Sequence, residues 1–312
     1  MSILLLVVGL VLLALPGALR PLGVRLAPSE WCRVVVACLR VGRVTVRAAL
    51  AFAAVPLALQ AVGAHEVAHA CHRSVTAGLP VPPAIGWVAA IALAASIARS
   101  ATTGRRNAAA LGRLRVEPWL GRHRVEDGVD VVTLPCTDRL AYAVPGQPDQ
   151  VVLSDGLLGA LDRDEAAAVL RHEQAHLRHG HHNALTLARD VESWLGWFPP
   201  VRASASALRL GVERWADEDA GSASAAARPA LRRALLKVVA LAIAPAPAFT
   251  DACTIAARLD ALASTPPAPS VRVRIAATVP ALGLCALVVG ALAACAVVAH
   301  HGIDGILGHC PF

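Results

Sequence analysis

Apolar residues gather into four long runs separated by arginine-bearing segments. A bilayer core takes about 20 mostly apolar helical residues. Residues 2–19 (SILLLVVGLVLLALPGAL), 47–64 (RAALAFAAVPLALQAVGA), 82–98 (PPAIGWVAAIALAASIA) and 275–299 approach or exceed that length and predict four transmembrane helices. No basic stretch precedes the first run, so it reads as an uncleaved span and not as a signal peptide. A fifth apolar run, 235–249, carries Lys237 and is broken by Pro245 and Pro247. It predicts a buried core helix.

Between the third and fourth runs the pattern changes. VDVVTLP (129–135), RLAYAVPG (139–146) and QVVLSDGLL (150–158) are short strand-forming stretches with turn chemistry between them, as in PGQPDQ (145–150). Asp162 followed by Glu165 forms a capping pair, and Gly180 is a helix stop, which predicts a helix over 163–179. The fold class that follows is mainly α, a polytopic membrane protein of four transmembrane helices with a cytoplasmic α+β domain between helices three and four. The expected division is a membrane region 1–98, a domain over 99–274, a last span 275–299 and a short extracytoplasmic tail 300–312.

Composition supports a membrane location. Hydrophobic residues make up 56% of the chain and charged ones 16%, and the mean hydropathy is +0.57. The net charge of +7 reports topology and not a nucleic-acid partner, because arginine placement sets orientation in a membrane protein. Arg20, Arg25, Arg33, Arg40 and Arg43 follow the first span. Arg99, Arg105, Arg106, Arg113 and Arg115 follow the third, and Arg272 and Arg274 precede the fourth. The segment between spans two and three has only Arg73, and the tail has none. Both termini are therefore expected outside, with 20–46 and 99–274 in the cytoplasm. The eight cysteines form no CxxC pair, so no cysteine-based zinc module is indicated.

Two HExxH motifs occur. In the second, His172 and His176 stand four apart on the predicted helix and can aim two imidazoles at one ion, with Glu173 placed to act on a metal-held water. Downstream, GVERWADEDA (211–220) contains Glu213 and Asp217, also four apart. Glu213 can complete a site of two histidines and one glutamate for a single Zn2+, and Asp217 can fix a ligand imidazole by hydrogen bonding. The first motif, His65, Glu66 and His69, has no glutamate following it until Glu117, and its external loop is too short for a peptidase fold. It is expected to be incidental, although His72 could join it as a third metal ligand. His300, His301 and His309, with Cys71 and Cys310, fall on the same external side. The histidines could hold zinc or copper, or the two cysteines could pair.

VVLSDGLLGALDRDEAAAVLRHEQAHLRHGHH, followed by ERWADEDA, resembles the BlaR/MecR-type membrane metallopeptidases, in particular short actinobacterial members without an extracellular penicillin-binding domain. The motifs cover about 150–220. The resemblance implies a gluzincin domain facing the cytoplasm, with His172, His176 and Glu213 as zinc ligands, Glu173 as general base and Asp217 supporting a ligand. It also implies a protein or peptide substrate, with a winged-helix repressor of the penicillinase-repressor kind as the candidate. Residues 300–312 leave no room for a β-lactam-binding domain after the fourth span, so antibiotic sensing is not expected. Two other readings stand beside this one: a quality-control protease resembling the HtpX type, and a signal receptor that binds through its zinc domain without cutting.

The remaining histidines at the helix end, His179, His181 and His182, read as solvated or as hydrogen-bonding partners of the ligands. One of them, or Arg258, could stabilise an oxyanion; for Arg258 a place on a helix surface is the simpler expectation. Trp194, Trp197 and Trp215 read as core or interface anchors.

Overall fold

The computed structural model describes residues 2–61, 83–240 and 252–263, and scattered positions between 271 and 290. The described chain is mostly helical, with one small sheet. Helices α1 (Ser2–Ala18), α2 (Arg20–Gly23), α3 (Pro28–Ala61) and α4 (Pro83–Leu114) precede strands β1 (Arg122–Glu126), β2 (Val129–Leu134), β3 (Ala141–Val144) and β4 (Gln150–Ser154). Helices α5 (Asp155–Leu158), α6 (Arg163–Arg178), α7 (His181–Leu195), α8 (Pro199–Gly221), α9 (Ala227–Ala240) and α10 (Ala252–Ala263) follow.

Among the described residues one helix, Ala84–Leu114, is long and apolar enough to cross a membrane; Ile3–Ala18 is a shorter apolar helix. The longer one leaves Ile85, Trp87, Val88, Ile91 and Ile97 exposed, as a helix facing lipid or a partner does. The segment 20–46, expected as a cytoplasmic connection, is largely the first half of α3, and the expected second span is its second half. Trp31, Val35, Cys38, Leu39 and Val46 are buried along α3 at helical spacing. The arginines between them place this half in an amphipathic helix and outside an apolar run. The first HExxH, most of the fourth span, and residues 241–249 of the fifth apolar run lie outside the described residues. Residues 235–240 of that run close α9.

The largest apolar core joins the N-terminal helices to the helices beyond the sheet. Leu12 and Leu13 of α1 and Trp31, Val35 and Leu39 of α3 share it with Val191 of α7 and Val201, Leu208 and Val212 of α8. The backbones approach closely. A Cβ on Gly17 would lie 2.8 Å from the Ala203 methyl and 3.0 Å from the Pro200 carbonyl oxygen, and the Gly17 amide donates to Ser204 Oγ at 2.9 Å. Polar ties reinforce the contact: Arg43 pairs with Asp190 at 2.6 Å, and Arg214 donates to the Val24 carbonyl at 3.1 Å.

The sheet has the order β1-β2-β4-β3, with β2 and β4 parallel and the outer pairs antiparallel. β1 is absent from the sequence-based expectation, because an exposed RHRVE edge strand has no apolar alternation to show. Its signal is the turn: Asp127 and Gly128 have φ of 52° and 78°, as a two-residue hairpin turn requires. The central strands are covered on both faces. Val131, Val151 and Leu153 pack with Leu157 and Leu170, and Val132 and Val152 pack with Val116. The sheet thereby seats α6.

The first turn of α6 is fixed by a reciprocal cap. The Glu165 amide donates to Asp162 Oδ1 at 2.9 Å, and the Asp162 amide donates to Glu165 Oε2 at 3.0 Å. Glu165 is buried, and Lys237 and Arg233 of α9 donate to its carboxylate at 2.5 and 3.2 Å. Lys237, the charge that interrupts the fifth apolar run, is thus an ion-pair partner of the capping residue.

The contact between α1 and α8 predicts opposite outcomes for two glycines. Gly17→Val forces side-chain atoms into the neighbouring backbone and is expected to cost about 1–3 kcal/mol. Gly104→Ala meets no atom within 4 Å and, inside α4, is expected to gain about 0.5–1 kcal/mol. Thermal unfolding of the purified protein should show a lower midpoint for the first and a raised one for the second.

Candidate metal centre

Helix α6 carries the second HExxH. It runs without interruption from the Asp162 cap to Gly180, which takes the left-handed conformation at φ 59° and lets the chain turn at once into α7. One turn apart, His172 Nε2 and His176 Nε2 lie 3.1 Å from each other. α8 packs beside α6 and brings Glu213 to them, with Oε2 3.6 Å from His172 Nε2 and Oε1 3.7 Å from His176 Nε2. The three candidate ligand atoms all lie within 4.8 Å of one another. Three residues separated by up to 41 positions thus converge on one point able to hold a cation.

Asp217, one turn beyond Glu213 on α8, places Oδ1 3.0 Å from His172 Nδ1. A carboxylate on that side favours a proton on Nδ1, so that Nε2 is the nitrogen turned toward the site. Glu173 stands between the two histidines in sequence and is partly buried.

Arg258 departs from expectation. It is not a helix-surface residue but is buried, and it reaches from α10 into the same cluster. Its Nε and Nη2 donate to the two oxygens of Asp217, each at 2.8 Å, and its Nη1 lies 2.9 Å from Glu213 Oε2. The reason is charge: two carboxylates taken out of water need a buried cation. No local spacing marks Arg258, because its partners lie more than 40 positions away. The one hint is a lone arginine in the apolar stretch AARLDAL.

The electrostatics follow from this arrangement. Burial disfavours charge on His172, but Asp217 and Glu213 outweigh it and push its pKa up to about 10. At neutral pH Nε2 therefore carries a proton, which a metal ion bound there would displace. His176, where burial dominates, falls to about 4 and so carries a free lone pair at neutral pH. Burial would raise Glu213 and Asp217, yet Arg258 and the histidines hold both below the ordinary carboxylate range. Glu173 moves the other way: burial lifts its pKa, with Glu213 adding to the effect.

The histidines past the helix end close one side of the site. His181 is buried and its Nδ1 lies 3.1 Å from His176 Nδ1. His179 stacks on Trp215 with centroids 4.5 Å apart and reaches Asp219 at 3.3 Å. Trp194 and Trp215 pack against the main core, whereas Trp197 is 75% exposed.

Removing the buried cation tests this account. Arg258→Met leaves Asp217 and Glu213 uncompensated and is expected to cost about 3 kcal/mol. Adding Asp217→Asn in the same chain should recover part of that loss. Denaturation of the parent, the two single variants and the double variant gives the coupling.

Residues 131–198 match the model of Peptidase family M48. The matched stretch runs from β2 to just past α7 and includes His172, Glu173 and His176. No curated protein matches the chain, and no solved structure does. The match supports a metallopeptidase hydrolase, in a family whose members are typically zinc-dependent.

Proposed function

We propose that the protein is an integral-membrane, zinc-dependent endopeptidase that hydrolyses peptide bonds on the cytoplasmic side of the membrane. The observation that carries the reading is the convergence of His172, His176 and Glu213 from two helices, with Glu173 next to a ligand and inside the segment that matches a peptidase family. The donor set suits zinc: two imidazoles and one carboxylate, with Asp217 supporting one of the rings. Bound zinc supplies Lewis acidity toward the scissile carbonyl and a water whose pKa falls to about 7. Glu173 takes the proton of the attacking water and hands it to the leaving amine. Arg258 keeps Glu213 and Asp217 ionised and fixed. The outer edge of β3, which packs near α6, offers backbone groups to which an extended peptide can add as a strand.

The substrate reading rests on the resemblance carried by residues 150–220 and is a cytoplasmic transcriptional repressor of the penicillinase-repressor kind, cleaved in signalling. The membrane reading rests on the apolar runs and arginine placement, with four spans and both termini outside.

Glu173→Gln should keep zinc and lose cleavage by at least 100-fold, whereas Glu213→Ala should lose both. Zinc content and peptide hydrolysis by the purified protein decide this, and cleavage retained in Glu173→Gln sinks the mechanism. For orientation, a reporter fused after residue 230 should behave as cytoplasmic and one fused at Phe312 as external.

A further inference from the structure

The His181 ring is 1% exposed. It stands edge-on to His176, with centroids 5.0 Å apart and planes at 81°, and the two Nδ1 atoms are 3.1 Å apart. Its other nitrogen, Nε2, is buried with no hydrogen-bond partner among the described residues. A buried polar atom left without a partner is costly, and exceptions of this kind concentrate at functional sites.

We propose that His181 is the positioning residue for His176, accepting a hydrogen bond that fixes the ring and its tautomer for metal binding. This rests on the peptidase reading. His176 faces His172 and Glu213 through Nε2, so Nε2 must be the bare nitrogen and the proton sits on Nδ1. Between two nitrogens 3.1 Å apart one donates and the other accepts. His176 Nδ1 donates, so His181 Nδ1 accepts. The His181 proton then resides on Nε2, the atom without a partner. Trp215, at 5.0 Å, and His179, at 5.6 Å between centroids, wall the ring in so that it cannot swing away. The two ligand histidines therefore have supports of unlike charge: a carboxylate, itself neutralised by Arg258, for His172, and a neutral imidazole for His176. The short turn through Gly180 makes this possible, because it returns the chain to the base of the site within five residues of His176.

The test uses the full chain in detergent, with zinc affinity measured against a competing chelator and with the visible spectrum of the cobalt(II)-loaded protein. His181→Leu removes the acceptor and should weaken zinc binding by about 10–100-fold and alter the cobalt spectrum. His181→Asn offers a carbonyl oxygen in its place and should restore most of both, a rescue that simple packing would not produce. If the Leu variant does not fold, His181→Phe, flat but without an acceptor, takes its place with the same expected loss. Parental zinc affinity and an unchanged cobalt spectrum in the acceptor-free variant, alongside loss of zinc in Glu213→Ala, overturn the role of His181 and leave the peptidase reading intact. A parent protein that binds no zinc overturns both.

Discussion

Arg258 holds the centre together. Its guanidinium spans both oxygens of Asp217 and touches Glu213, so one cation from α10 offsets two carboxylates from α8. Without it, two negative groups of low exposure would stand beside each other and beside Glu173, and burial would drive them to protonate. Protonated, Asp217 would no longer be an anionic acceptor for His172, and Glu213 would be a poor ligand. The planar fork of arginine suits this place, since it binds a carboxylate at two points and keeps a third nitrogen for a neighbour.

The sequence was most legible where local chemistry decides the structure. The span of α6 follows from its cap and its stop, and the predicted helix over 163–179 differs from Arg163–Arg178 by one residue. Strands β2, β3 and β4 lie within the predicted stretches and are shorter: β2 stops before Pro135, β3 loses residues at both ends, and the last four residues of the third stretch form α5. His172, His176, Glu213 and Asp217 were legible as i, i+4 pairs on two helices. What was hidden was non-local. Arg258 is bound to partners more than 40 positions away, and nothing in AARLDAL says which way it points. β1 is an exposed charged strand whose only mark is the Asp127-Gly128 turn. The first half of α3 is amphipathic, so its arginines masked the buried stripe of Trp31, Val35, Cys38 and Leu39.

The centre draws on different parts of the fold for its parts. The sheet, buried on both faces, seats α6 and its histidines. The glutamate and aspartate come from α8, and the balancing cation from α10. Glu165 links the start of α6 to α9 through Lys237 and Arg233. The candidate ligands thus sit on helices and not on loops, as close ligand geometry favours.

Helix α8 has two tasks along one axis. Its later turns carry Glu213 and Asp217, and its earlier turns, Val201 to Leu208, lie against α1 and α3 with backbones too close for even a methyl group at Gly17. An excised fragment beginning at residue 99 would strip α1 and α3 from that surface and bare a continuous apolar face on α7 and α8. Such a fragment would bury that face by aggregating. The smallest piece of this chain that keeps the apolar face of α8 covered therefore includes the N-terminal helices, which lie on the far side of the boundary that hydropathy alone suggests.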